Sequence, residues 1–130
     1  TEDVSILAAN TALLELDISN NAITDISAVS AMTQLEHLNF SYNQVKKLPA
    51  FSKDVPLVTI KGSQNKLSSL KELQGLKSLN YVYMDFNEKL SSVAALEKCP
   101  ALVEVSVYGT KVHDVGILKE LGVQVTYSPI

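Results

Sequence analysis

Leu13, Leu35, Leu57, Leu79 and Leu102 stand 22, 22, 22 and 23 residues apart, and what surrounds each of them recurs with it. Three positions on come Leu16, Leu38, Ile60, Val82 and Val105; two further come Ile18, Phe40, Gly62, Met84 and Val107. Asn21, Asn43, Asn65, Asn87 and Thr110 follow three positions later, then Ile23, Val45 and Leu67, a break, and Val112. The unit reads L-x-x-L-x-L-x-x-N-x-L, five times in register. A fixed period of this kind leaves few folds open. Each unit is too small to bury its apolar face alone, so the units must stack into an array with one continuous core.

The chemistry of each half of the unit fits that architecture. Leu13-Leu14-Glu15-Leu16-Asp17-Ile18 alternates inward and outward as a strand does. Stacked strands of successive units form a parallel sheet. The Asn after each strand can donate to and accept from backbone groups that would otherwise be buried without partners. Asn21, Asn43, Asn65 and Asn87, with Thr110 last, therefore read as a structural ladder. The second half repeats at spacings of three: Ile26, Leu48, Leu70, Val93 and Val115; then Val29, Phe51, Leu73, Leu96 and Leu118; then Met32, Leu76, Cys99 and Leu121. That spacing suits 3₁₀ or short helical turns with an inward face.

Ile23-Thr24-Asp25-Ile26-Ser27 and Thr33-Gln34-Leu35-Glu36-His37-Leu38-Asn39-Phe40-Ser41 resemble the 22-residue leucine-rich repeat of bacterial internalins. The same repeat class occurs in a regulatory subunit of eukaryotic protein phosphatase 1. The resemblance covers essentially the whole chain. It implies an α/β repeat solenoid: a right-handed leucine-rich-repeat superhelix with a concave parallel β-sheet and mainly 3₁₀ or short helical turns on the convex side. It also implies a protein-interaction module of a bacterial surface or secreted protein. An intracellular scaffold or regulatory subunit, in the cytoplasm, is the alternative, and a structural spacer in a multidomain chain is another.

The departures from the unit carry expectations of their own. Gly62 stands where a large inward residue belongs, so Phe40 and Met84 should lean into its space. One extra residue at Asn87-Glu88-Lys89-Leu90 should bulge at the sheet edge. Thr110 should weaken the ladder where it ends. Pro49 and Pro56 should disturb the convex side of the second unit, because proline has no N–H. Residues 1–130 read as one domain: a partial repeat in 1–12, in which Asp3–Leu7 match Asp25–Val29, five repeats in 13–121, and a terminal strand and exit in 122–130. A cap or further unit upstream is expected from that opening.

Composition narrows the function. All eleven cationic residues are Lys and the net charge is −3. A chain without Arg and without a basic stripe lacks the footprint of a nucleic-acid binder. No apolar run is long enough to span a membrane. Cys99 is the one cysteine and falls in an inward column, where a thiol behaves as a small hydrophobe. Ser19, Ser41 and Ser63 form a column without a His–carboxylate relay, and no Cys/His spacing suits a metal. We therefore expect no enzyme, no cofactor and no metal. Glu15, Asp17 and His37 read as scattered polar residues of a solvated sheet.

The outward columns remain. They hold Glu15, His37, Thr59, Tyr81 and Glu104, then Asp17, Asn39, Lys61, Tyr83 and Ser106. Just past the strands come Ser19, Ser41, Ser63, Asp85 and Tyr108, then Asn20, Tyr42, Gln64, Phe86 and Gly109. Aromatics converging on one exposed surface mark a protein interface, since tyrosine offers large contact area at low entropic cost. The expected ligand-binding residues on the concave face are Tyr42, Tyr81, Tyr83, Asp85, Phe86, Tyr108, Lys61, Asn39, His37 and Asp17, and the expected ligand is a protein.

Overall fold

A computed structural model describes residues 12–128. The partial repeat expected around Asp3–Leu7, and the exit residues Pro129 and Ile130, lie outside them. Six strands form one parallel sheet in chain order: β1 (Glu15–Asp17), β2 (His37–Asn39), β3 (Thr59–Lys61), β4 (Tyr81–Tyr83), β5 (Glu104–Val107) and β6 (Gln124–Tyr127). The register aligns equivalent repeat positions. Leu16, Leu38, Ile60, Val82, Val105 and Val125 lie side by side on the inner face. Each residue of the unit is thus one member of a column running along the solenoid, and the outward columns are those read from the sequence.

On the convex side, 3₁₀ turns span Ser27–Ala31, Lys71–Leu73 and Ala94–Lys98, and the helix α1 spans Gly116–Glu120. Each starts directly after an inward residue (Ile26, Leu70, Val93, Val115) and buries one three positions on (Val29, Leu73, Leu96, Leu118). Eclipsed i and i+3 side chains are what a 3₁₀ turn provides. The second unit, with Pro49 and Pro56, has no helical turn between β2 and β3. There Val55 is buried in its place, at 3% exposure.

The core is one continuous cluster, and the asparagine ladder borders it. Asn43 Nδ2 donates to the carbonyls of Ile18 (3.0 Å) in the preceding coil and Phe40 (2.8 Å) in its own. Asn65 repeats this with Phe40 and Gly62, and Asn87 with Gly62 and Met84. Their Oδ1 atoms accept from the N–H of Ile23, Val45 and Leu67 respectively, each in the coil before. Thr110 bonds only within its own coil, to the Val107 carbonyl and from the Val112 N–H. A hydroxyl is too short to reach the neighbouring coil as the amide does.

Gly62 is filled as anticipated: a Cβ there would lie 2.5 Å from Phe40 Cζ and 2.8 Å from Met84 Sδ. Two expectations need correction. The extra residue of the fourth unit does not bulge the sheet, because β4 and β5 pair without interruption. It is taken up in a turn closed by Leu90 N donating to Asn87 O at 3.0 Å. That turn returns Leu90 to the core at 0% exposure, mending the break in the Ile23, Val45, Leu67 column. Leu121, assigned to an inward column, is 60% exposed. The last convex element winds as an α-helix, with Leu121 N donating to Ile117 O. Six residues at about 100° each carry Leu121 roughly 120° away from Val115, whereas 3₁₀ winding would eclipse them. Val123 is buried in its stead.

Candidate functional site

Alternation along β4 places Tyr81 and Tyr83 on the outward face, two residues apart. Their rings stack, with centroids 6.5 Å apart and planes 5° from parallel. Lys61 and Ser106 flank Tyr83 in the register, and Thr59 and Glu104 flank Tyr81. The Tyr83 hydroxyl donates to Glu104 Oε1 at 3.0 Å. Burial of the phenol, reinforced by that bond and by the nearby negative charge, pushes the Tyr83 pKa up. Tyr83 is therefore a held, neutral donor, while Tyr81 is the more exposed of the two.

A second aromatic pair stands past the strand ends. Phe86 and Tyr108 meet edge to face, with centroids 6.0 Å apart at 75°. Three devices hold it. The Phe86 N–H donates to the Tyr108 carbonyl at 2.7 Å. One oxygen of Asp85 accepts from the Ser106 hydroxyl (2.6 Å) and from the Tyr108 N–H (2.8 Å). The Phe86 ring also lies over Gly109, where a Cβ would overlap its Cδ1.

Asn20, Tyr42, Gln64 and Phe86 share a backbone feature that the sequence reading missed. Their φ values are 61, 61, 58 and 59°, and Gly109 in the same column has 73°. In this left-handed conformation each N–H points to the next coil: Asn20 to Ser41 O, Tyr42 to Ser63 O, Gln64 to Asp85 O. Asn and Gly tolerate it, whereas a bulky side chain is strained there. The signal was present in Asn20 and Gly109, the two residues of the column with a taste for positive φ. Tyr42 is 56% exposed and Phe86 44%.

The remaining expected site residues divide by occupation. Asp17 Oδ1 accepts from the backbone N–H (3.0 Å) and hydroxyl (2.6 Å) of Ser19, and those bonds hold its pKa below the usual carboxylate range. Asn39 Oδ1 accepts from Ser41 N. Asp17, Asn39 and Asp85 thus brace the chain as it leaves the strand. His37 and Lys61 line a shallow hollow of about 300 Å³ with Glu15 and Thr59, over β1 to β3 and next to the strand that carries Tyr81 and Tyr83. The aromatics form two pairs, Tyr81 with Tyr83 and Phe86 with Tyr108, and Tyr42 joins neither ring contact.

Comparison with known proteins agrees with this geometry. Residues 11–53 match the family model for leucine-rich repeats in two copies. No curated relative matches the chain at significant similarity. Among solved structures, internalin C2 of Listeria monocytogenes superposes with a TM-score of 0.89 at 25% identity, over 98% of this chain and 57% of that one. The internalin InlF of the same organism gives 0.70 at 21% identity, over 100% and 47%. The functional domain of InlJ, described as including a cysteine ladder, gives 0.74 at 20%, over 100% and 29%. This chain has asparagine where a ladder is needed and a single cysteine. It spans little more than half the length of internalin C2.

Proposed function

We propose that this chain, a leucine-rich-repeat protein of the 22-residue internalin-like class, is a protein-interaction module that takes its ligand on the concave sheet face. The observation that carries the reading is the pair of aromatic contacts, Tyr81 on Tyr83 along β4 and Phe86 on Tyr108 just past the strand ends, with Tyr81, Phe86 and Tyr108 exposed. Interfaces place their anchors in such clusters, where apolar area is offered without a large loss of side-chain freedom. Pre-organisation by Glu104, Asp85 and the ladder supports it, since little has to be ordered on binding. Asp17, Asn39 and Asp85 are engaged in bracing the backbone. The structural likeness to internalins favours a bacterial surface or secreted setting.

The test is affinity capture from host-cell and envelope extracts with the chain and with a Tyr81→Ala/Tyr83→Ala/Phe86→Ala variant whose melting curve shows it folded. A partner held by the parent and lost by the variant is expected, with about 1–4 kcal/mol removed for each true anchor. Equal capture by both overturns the reading.

A further inference from the structure

Beside the concave face, along the edge where the chain leaves the sheet, runs a groove of about 660 Å³. Three consecutive coils contribute to it. Lys46, Lys66 and Lys89 line it against a single acid, Glu88, with the Phe86 ring as a wall. The chain as a whole is acidic, with net charge −3, so this local excess of cations runs against the average. Among the described residues, none of the three lysine ammonium groups has an ion-pair or hydrogen-bond partner within the chain, and neither has the side-chain amide of Gln64 in the same groove. The floor is fixed, because Asn43 and Asn65 are tied into the ladder beneath.

We propose that this edge groove binds a short, extended acidic peptide segment of a partner protein, with carboxylates on Lys46, Lys66 and Lys89 and an apolar side chain against Phe86. Parallel strands lie about 4.8 Å apart, so lysines from three coils offer cations along roughly 10 Å, the length of about three extended residues. Gln64 supplies both a donor and an acceptor, which is what a peptide backbone requires and a sulfate or phosphate group does not. Phe86, with no polar tip, suits an aliphatic or aromatic side chain. The groove goes beyond the concave-face reading and does not depend on Tyr81 or Tyr83.

The experiment is fluorescence anisotropy with a labelled peptide of six glutamates flanked by leucines, at low and at physiological salt. We expect binding that weakens with salt. Lys46→Gln/Lys66→Gln/Lys89→Gln should weaken it about tenfold, the product of roughly twofold for each exposed ion pair. A matched variant on the convex side, Lys53→Gln/Lys71→Gln/Lys98→Gln, removes the same charge and should leave it unchanged. Tyr81→Ala/Tyr83→Ala should also leave it unchanged, which separates this proposal from the concave-face one. The proposal is overturned if the peptide does not bind, or if the convex and groove variants lose equally. It is likewise overturned if a heparin hexasaccharide binds the groove while the peptide fails to.

Discussion

Asn65 is the residue whose removal says most about what holds the coils together. Its amide nitrogen donates to Phe40 O at 3.0 Å and Gly62 O at 3.1 Å, and its oxygen accepts the Val45 N–H at 2.9 Å. The losses in Asn65→Ala are unequal. Phe40 O keeps Asn43, and Gly62 O keeps Asn87. The Val45 N–H bonds to nothing else among the described residues, and Val45 itself is 0% exposed. An orphaned buried donor costs about 1–3 kcal/mol, and each lost carbonyl bond about 0.5–1.5 kcal/mol net. The total expected is about 2–6 kcal/mol, a large share of the roughly 5–15 kcal/mol that stabilises a domain.

The sharper substitution is Asn65→Asp, which has the same shape. It keeps the acceptor for Val45 but sets a carboxylate oxygen against two carbonyl oxygens. If the ladder works by donating to carbonyls, the aspartate is at least as destabilising as alanine at neutral pH. Its own pKa would then be raised in the folded state. The deficit relative to the parent is therefore smallest below the unfolded carboxyl pKa, near 4, and grows as pH rises through the folded value. Urea unfolding followed by circular dichroism reads both as shifts in midpoint at constant slope. An Asn65→Asp midpoint within about 1 kcal/mol of the parent at pH 7 would refute the reasoning.

Four further outcomes are expected. Gly62→Ala should destabilise by about 1–3 kcal/mol, because its Cβ meets the fully buried Phe40 ring as well as the more yielding Met84; a neutral midpoint in urea would contradict it. Tyr42→Gly should raise stability by up to about 1 kcal/mol by relieving the left-handed strain at an exposed side chain, and a lower melting temperature would count against it. Cys99, buried with its thiol donating to Leu73 O and its pKa pushed up by burial, should resist maleimide at pH 8 in the native chain and react at once in denaturant. Tyr83 has a raised pKa, so its bond to Glu104 contributes fully below the ordinary phenol pKa of about 10 and fades as pH climbs through the folded value. The stability advantage of the parent over Tyr83→Phe, followed by melting from pH 8 to 11, should shrink accordingly.

What could be read from the sequence follows the physics of columns. Residues that must face inward in every coil repeat their chemistry, so Leu16, Leu38, Ile60, Val82 and Val105 announce the sheet and its register before any coordinate is known. The reading failed where one coil solves its packing alone. Leu121 follows the periodicity but caps the one convex segment among the described residues that is wound as an α-helix. Leu90 departs from the spacing and yet reaches the core, because a turn absorbs the extra residue. On the outer face, the register placed Tyr83 beside β5, but only side-chain geometry pairs it with Glu104 rather than with solvent.

The left-handed column is where structural need and side-chain identity part most clearly. Every coil needs positive φ there to aim its N–H at the next coil, and Asn20 and Gly109 meet that need cheaply. Tyr42 and Phe86 meet it at a cost of about 1–2 kcal/mol each. Core packing does not explain the choice, since both side chains are exposed. Phe86 recovers part of the cost from the edge of Tyr108 and from resting over Gly109, and that second contact exists only because residue 109 has no Cβ. Gly109 therefore does two things: it adopts φ 73° without strain, and it leaves the space in which the Phe86 ring lies. Tyr42 makes no ring contact of this kind among the described residues and is 56% exposed. An aromatic stands there although the backbone disfavours it and the core gains nothing, so the fold itself does not require it.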